Sequence, residues 1–157
     1  MSIEQRYLLR LIKAAATEEA PPALPPKLNL QALFTLAEKI RSTTYCTSRL
    51  SSLAYTTTQN PIMHTMKQRY GRAVQRDIMQ DTELAEIAEY FASEQIPYIP
   101  MKGSTVKKYY PKHDLCRSGD IDILIHQKDL DKSDKVLTEL GYICDRRGCD
   151  VHDVYER

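Results

Sequence analysis

The spacing of apolar residues changes near residue 95 of this chain, and that change decides the fold class. Before it, apolar side chains recur every three or four residues, as on one face of an amphipathic helix. After it, runs such as GDIDILIH follow the two-residue period of a strand, with one helix-like segment between them. The sequence predicts an α+β fold, with a helical N-terminal bundle over residues 1–95 and a small sheet with flanking helices over residues 96–157.

Helix start signals support the first half of that prediction. Ser2 and Gln5 have the spacing of a capping box, in which each side chain bonds the backbone N–H of the other residue. Asn29 and Asn60 stand where N-caps are expected, ahead of apolar helical stripes, and a proline directly follows Asn60. Gly71 is a candidate break in the last stripe, which the sequence allows as one helix or two.

Charge and hydropathy narrow the classes of partner. The chain has 157 residues, with 22 basic and 21 acidic side chains and a formal charge of +1. A chain this close to neutral has no bulk positive field to attract long nucleic acid. No apolar run approaches the ~20 residues that span a bilayer, and the N-terminal segment carries acidic residues where a signal peptide has an uncharged core. We expect a cytoplasmic protein with no membrane partner.

Two aspartates in the strand-like segment RSGDIDILI are the candidate metal ligands. Residues two apart in a strand point to the same face, so Asp120 and Asp122 are predicted to project together. Ile121, Ile123 and Ile125 then face a core. Paired carboxylates are hard oxygen ligands that suit Mg²⁺ or Mn²⁺. The alternative is an edge strand whose acids are simply solvated.

A basic turn precedes these acids and is the candidate phosphate site. Gly103 and Ser104 lie at a strand-to-helix junction, where backbone N–H groups and a hydroxyl can donate to an oxyanion. Lys102 flanks the turn and Arg117 flanks the aspartate strand, so both are candidates for binding a nucleotide's phosphates. Three further lysines are interpreted as a solvated helix face: Lys107, Lys108 and Lys112.

The segment from Ile96 to Tyr142 resembles the uncharacterised bacterial nucleotidyltransferase family of the polymerase-beta-like superfamily. The shared landmarks are Ile-Pro, a short strand, Lys-Gly, a helix ending in Tyr-Pro, then Arg, Asp-x-Asp and a helix ending in Leu-x-x-x-Gly-Tyr. The resemblance implies a nucleotidyltransferase sheet in which Gly103 and Ser104 form the nucleotide-binding turn. It also implies that Asp120 and Asp122 bind Mg²⁺ or Mn²⁺. A nucleoside triphosphate such as ATP would donate its nucleoside monophosphate to an acceptor hydroxyl, with release of pyrophosphate.

One part of the superfamily pattern is missing, namely a third carboxylate on a later strand. Asp153 or Glu156 could serve as this third metal ligand, but neither lies in the sequence context that the superfamily pattern leads us to expect. We expect the sheet to be incomplete at its C-terminal side and these 157 residues to be a fragment of a longer, active enzyme. The alternative is a shortened member of the family with an incomplete site. Alone, the 157 residues are expected to bind Mg²⁺–nucleotide weakly and to transfer little or nothing.

Two other classes of function stay open at this point. The chain could be a catalytically silent nucleotide-binding or regulatory module with the same fold, or a helical interaction domain. The sequence does not specify the base or the acceptor. The near-neutral charge favours a protein, a sugar or a small molecule over long nucleic acid as the acceptor.

Overall fold

A computed structural model describes residues 1–51, 53, 60–116, 119–149 and 152–157, with only the backbone described at 146–149 and 152. Its contacts divide the chain into two compact units. The first comprises Met1–Ile78 and Val106–Arg117, and the second comprises Met79–Thr105 and Ser118–Arg157. The predicted domain boundary between residues 95 and 96 stays a prediction. No helix in the described part of the chain is long and apolar enough to cross a membrane.

The helices confirm the predicted start signals. Ser2 Oγ accepts from Gln5 N at 3.2 Å and Ser2 N donates to Gln5 Oε1 at 2.8 Å, which completes the capping box. Asn29 Oδ1 accepts from Ala32 N at 3.0 Å. The first four helices are α1 (Ile3–Ala16), α2 (Leu30–Lys39), α3 (Thr43–Leu50) and α4 (Pro61–Ser93).

Helix α4 is one continuous helix of 33 residues. Asn60 Oδ1 accepts from Ile62 N at 2.9 Å, as expected of a cap ahead of a first-turn proline. Gly71 doesn't interrupt it, because a glycine inside a helix costs only ~1 kcal/mol relative to alanine. The one-helix alternative is therefore the correct one.

A helical core fills the first unit. It combines side chains from α1, α2, α3 and the start of α4, and it includes a single buried cysteine. Its members are Tyr7, Leu8, Leu11, Leu33, Phe34, Ala37, Cys46, Leu50, Met63 and Met66.

The second unit holds all four described strands, in two antiparallel pairs. Strand β1 (Tyr98–Met101) pairs with β2 (Asp122–Ile125), and β3 (Ile143–Cys149) pairs with β4 (His152–Glu156). The short helix α5 (Gly103–Val106) follows β1, and α6 (Leu130–Glu139) follows β2.

Helix α6 ends at Glu139, and Gly141 two residues later forms its C-terminal cap. Gly141 is left-handed at φ +88°, its N–H donates to Thr138 O at 3.0 Å, and Tyr142 N donates to Leu137 O at 2.9 Å. These two bonds form a Schellman motif, which turns the chain out of the helix and towards β3.

A strand-containing core fills the second unit, and its members come from α4, from α6 and the residue directly after it, and from the segment before β1. They are Ile87, Phe91, Ile96, Val136, Leu137 and Leu140. The inner faces of β1 and β2 pack against this core through Tyr98, Ile123 and Ile125. Among the described strands, β2 pairs only with β1, because β3 pairs with β4 instead of joining β2.

Candidate functional site

The β1–β2 pair brings the basic turn and the aspartates to one end of a sheet. Its antiparallel register sets Tyr98 opposite Ile125 and Met101 opposite Asp122. The C-terminal end of β1 therefore coincides with the N-terminal end of β2. Because the turn follows Met101 and Asp120 precedes Asp122, both lie at this end, although 16 residues separate Gly103 from Asp120 along the chain.

The two faces of β2 are chemically different. Ile123 and Ile125 pack against the strand-containing core, whereas Leu124 is 53% exposed. Because side chains alternate along a strand, Asp122 lies on the outer face with Leu124. The side chain of Asp122 is 32% exposed. Asp120 is exposed but precedes the first residue of the strand. The predicted strand face therefore holds one aspartate within β2 and one just before it.

Lys102 joins the basic turn to the aspartates. Its Nζ donates to Asp122 Oδ1 at 2.7 Å. The hydrogen bond and the charge of Asp122 raise the pKa of Lys102, and the negative charge of Asp120 raises it further. One cationic group thus already interacts with both predicted metal ligands.

The turn itself depends on a residue that the sequence does not single out for its backbone. Lys102, and not Gly103, has the left-handed conformation, at φ +48°. A non-glycine residue held in this region costs ~1–3 kcal/mol, and such residues are found at functional sites as well as at helix ends. Thr105 braces the turn, since its Oγ1 donates to Pro100 O at 2.6 Å and its N–H donates to Lys102 O at 3.1 Å.

The remaining predicted site residues are distributed as follows. Gly103 and Ser104 are half-buried in the first turn of α5. Arg117 lies outside the described residues. Asp153 and Glu156 are exposed on β4, which pairs with β3 and not with β2.

A third metal ligand does not join the aspartates among the described side chains. Among the described residues, Asp120 and Asp122 do not belong to any group of three or more His, Cys, Asp or Glu side chains whose ligand atoms lie within 4.8 Å of one another. The two aspartates are carboxylate ligands of the kind that Mg²⁺ and Mn²⁺ prefer. Asp122 also already binds a cation, the ammonium of Lys102. The donor set therefore fits a hard divalent ion, with two protein ligands assigned.

One lysine outside this site does not match its sequence interpretation. Lys107 is only 7% exposed, and its Nζ lies 2.9 Å from Asp77 Oδ1 in the first unit. The solvated-face interpretation is wrong for Lys107, because the carboxylate of Asp77 neutralises the ammonium that burial would otherwise disfavour. Ligand atoms of Asp77 and His113 lie within 4.8 Å of each other, so a metal ion there would compete with Lys107.

Comparison with known proteins gives one match. A family model described as an uncharacterised nucleotidyltransferase matches residues 26–157. No curated protein and no solved structure shows significant similarity to the chain. Because the family model covers most of the chain, the chain belongs to this family of uncharacterised nucleotidyltransferases.

Proposed function

We propose that this chain binds a nucleoside triphosphate with Mg²⁺ or Mn²⁺ and transfers the nucleoside monophosphate to an acceptor hydroxyl, with release of pyrophosphate. Family membership supports nucleotidyl transfer in general. The observation that carries the specific proposal is the contact between Lys102 and Asp122, at 2.7 Å, where the end of β1 meets the start of β2. A phosphate-binding turn and a carboxylate pair at one end of a sheet are what a metal–triphosphate complex requires.

The aspartates have the role of metal ligands in this proposal. Asp120 and Asp122 would hold the divalent ion, which when bound neutralises charge on the phosphates and lowers the pKa of the acceptor hydroxyl. The isoleucines behind Asp122 anchor β2 to the core, so that the carboxylate is held at a fixed strand position. An asparagine at either position keeps the size of the side chain and removes its charge.

The turn has the role of binding the triphosphate. Lys102 would donate from its ammonium, Ser104 from its hydroxyl, and Gly103 from its backbone N–H, where the missing side chain allows close approach. The brace from Thr105 Oγ1 to Pro100 O keeps the turn at the strand end. Arg117 is proposed as a further phosphate ligand on the basis of its sequence position beside the aspartates.

The third carboxylate and the acceptor are the least defined parts of the proposal. Asp153 is proposed as the third ligand, with Glu156 as the alternative, and either would need β4 to approach the aspartates. With a formal charge of +1, the chain favours a protein, sugar or small-molecule acceptor over long nucleic acid. We propose that the reaction takes place in the cytoplasm.

A catalytically silent nucleotide-binding module is the second candidate function. It is favoured by the two-ligand donor set, since among the described side chains no third ligand joins Asp120 and Asp122. Both candidate functions include triphosphate binding, but only the first includes nucleotidyl transfer.

Binding is tested first, by thermal unfolding of the chain with ATP and the other nucleoside triphosphates, with and without Mg²⁺. A ligand at 100 times its dissociation constant stabilises by ~2.7 kcal/mol. We expect Mg²⁺-dependent stabilisation that Asp120→Asn and Asp122→Asn both remove. Stabilisation that survives both substitutions would contradict the proposed site.

Transfer is tested next, with α-labelled triphosphate and a pyrophosphate assay. We expect slow transfer by these residues, because only two carboxylates are assigned to the metal. Rapid turnover that Asp153→Asn abolishes would identify the third ligand. Binding of Mg²⁺–triphosphate without any transfer would favour the silent module.

A further inference from the structure

The contact between Lys102 and Asp122 occupies a ligand atom that a metal ion would need. Lys102 Nζ lies 2.7 Å from Asp122 Oδ1, and the exposed fractions of the two side chains are 70% and 32%. The ammonium also interacts with the charge of Asp120. A divalent ion bound by these carboxylates would meet a positive charge at hydrogen-bond distance from its own ligand, and like charges at that separation repel.

The backbone holds Lys102 at this position. Met101 is the last residue of β1, Gly103 is the first of α5, and Lys102 between them is left-handed. The bonds from Thr105 to Pro100 and Lys102 fix the same turn. The Cα of Lys102 is therefore set by the fold, while its exposed four-carbon stem leaves the ammonium free to move.

We propose that the Lys102 ammonium occupies the cation position on Asp122 in the free protein and moves to the triphosphate when a metal–triphosphate complex binds. This inference rests on the proposed function. It adds that Lys102 opposes binding of the metal alone and favours binding of the metal with nucleotide. Lys102 is thus a positioning residue that couples the two ligands.

The proposal predicts that removing the ammonium of Lys102 changes two binding affinities in opposite directions, that for the metal alone and that for the metal–triphosphate complex. Without nucleotide, removing the ammonium frees Asp122 and removes a repulsion, so the metal alone binds more tightly. With nucleotide, removing the ammonium deletes a charge-assisted hydrogen bond to phosphate, so the metal–triphosphate complex binds more weakly. A residue with only a structural role would weaken both.

The experiment measures Mn²⁺ binding by the loss of the free-ion electron paramagnetic resonance signal, without nucleotide and without catalysis. Lys102→Met is expected to bind Mn²⁺ about two- to fivefold more tightly than the unsubstituted chain, the range for an exposed ion pair. Lys102→Arg keeps the charge and is expected to match the unsubstituted chain. Lys135→Met, at an exposed lysine on α6, is the matched control and is expected to change nothing.

The second measurement titrates the complex of Mn²⁺ with α,β-methylene ATP, which cannot be cleaved at the reacting bond. Lys102→Met is expected to weaken this complex by about tenfold, in the opposite direction to its effect on the metal alone. Circular dichroism of each variant verifies the fold, which an exposed side chain is not expected to alter.

Three outcomes separate this inference from the function on which it rests. Opposite changes in the two affinities of Lys102→Met support the inference. Loss of Mn²⁺ binding in Asp122→Asn, with both affinities unchanged or both weakened in Lys102→Met, would overturn the inference and leave the function standing. Mn²⁺ binding that is absent from the unsubstituted chain and from Lys102→Met, with and without nucleotide, or that is unaffected by Asp122→Asn, would overturn both.

Discussion

The helical core and the strand-containing core differ in how completely they exclude water. In the helical core, nine of the ten buried side chains are at most 1% exposed, and Phe34 is the exception at 6%. In the strand-containing core only Phe91 is fully buried, and the other five members are 3–8% exposed. Described candidate site residues belong to the second unit: Lys102, Gly103, Ser104, Asp120, Asp122, Asp153 and Glu156.

This difference has a physical reason. Carboxylates and ammonium groups lose hydration energy when buried, so they need an open face on the unit that carries them. Strand β2 provides such a face, with Asp122 and Leu124 outward and two isoleucines inward. The helical core of the first unit does not need an open face for charged groups, so it can exclude water completely. We infer that local stability is highest in the helical core and that chemistry is concentrated where packing is less complete.

The largest effect on stability is expected from Leu33→Ala in the helical core. Leu33 is 0% exposed, and a cavity at such a site costs ~2–5 kcal/mol in the free energy of unfolding. Leu137→Ala in the strand-containing core, at 8% exposure, is the matched substitution and should cost less. Urea denaturation measures both. An equal or larger cost at Leu137 would remove the contrast between the cores.

Asp120→Asn should have the opposite pair of effects, a large loss of ligand binding and a small change in the free energy of unfolding. Losing one of two carboxylate ligands should weaken Mg²⁺-dependent triphosphate binding by more than the ~10–100-fold seen for outer-shell changes. Because Asp120 is exposed, the free energy of unfolding should change by less than ~1 kcal/mol. Calorimetric titration and urea denaturation of the same preparation give both values. A large loss of stability would mean that Asp120 supports the fold, and the binding result could not then be assigned to the metal.

The buried thiol of the helical core predicts a sensitivity to alkali. Burial raises the pKa of Cys46 from its usual 9.0 to about 12. Between these pH values the unfolded chain has lost the thiol proton and the folded chain has kept it. The thiol therefore does not lower the free energy of unfolding below pH 9, and it lowers this free energy progressively as the pH rises above 9. The loss approaches ~1.4 kcal/mol per pH unit. Denaturation at several pH values should give a flatter profile for Cys46→Ala.

A residual alkaline slope in that variant has an identified source. Burial also raises the pKa of Tyr7, in the same core, to about 12. Adding Tyr7→Phe should reduce the slope above pH 10 further, and what then remains is expected from Tyr45, Tyr70 and Tyr155, whose pKa values burial also raises. An alkaline slope that neither substitution changes would show that the helical core is not the sensitive region.

Element types and starts follow from local signals, and the structure bears this out. The capping box at Ser2, the caps at Asn29 and Asn60, and the glycine at 141 each act through bonds within a few residues, so a sequence pattern is enough to identify them. The segregation of isoleucines from Asp122 follows from strand period in the same way.

Contacts between segments far apart in the sequence were harder to predict from the sequence. Nothing local indicates that β3 pairs with β4 and leaves β2 paired with β1 alone among the described strands. The burial of Lys107 depends on Asp77, which lies 30 residues earlier. The left-handed backbone at Lys102 was also not predicted, because a lysine has no preference for that conformation. Such features depend on tertiary contacts and not on residue preference.

A residue with a left-handed backbone follows a helix in each of the two units, and substitutions there test a smaller expected effect on stability. Arg41 follows α2 and Gln95 follows α4, each at φ +54°, where glycine is usual. Replacing either with glycine should remove backbone strain and raise the free energy of unfolding by ~0.5–1 kcal/mol, after the greater entropy of glycine in the unfolded chain is subtracted. Equal gains at the two sites would show that the units differ in packing and not in local strain. A loss at either would show that its side chain is needed.

The smallest effect is expected at Leu124, and it tests the difference within a single strand. Leu124 is 53% exposed on the outer face, so Leu124→Ala should lower the free energy of unfolding by less than ~0.5 kcal/mol. Ile123, next to it, packs against the strand-containing core, and Ile123→Ala should cost ~2 kcal/mol because it leaves a space in that core. Urea denaturation resolves this difference. If the outer face contributes little to stability, its residues are free to serve binding, as proposed for Asp122. If Leu124→Ala costs as much as Ile123→Ala, that face is packed in solution, and a metal–triphosphate complex could not reach Asp122 across it.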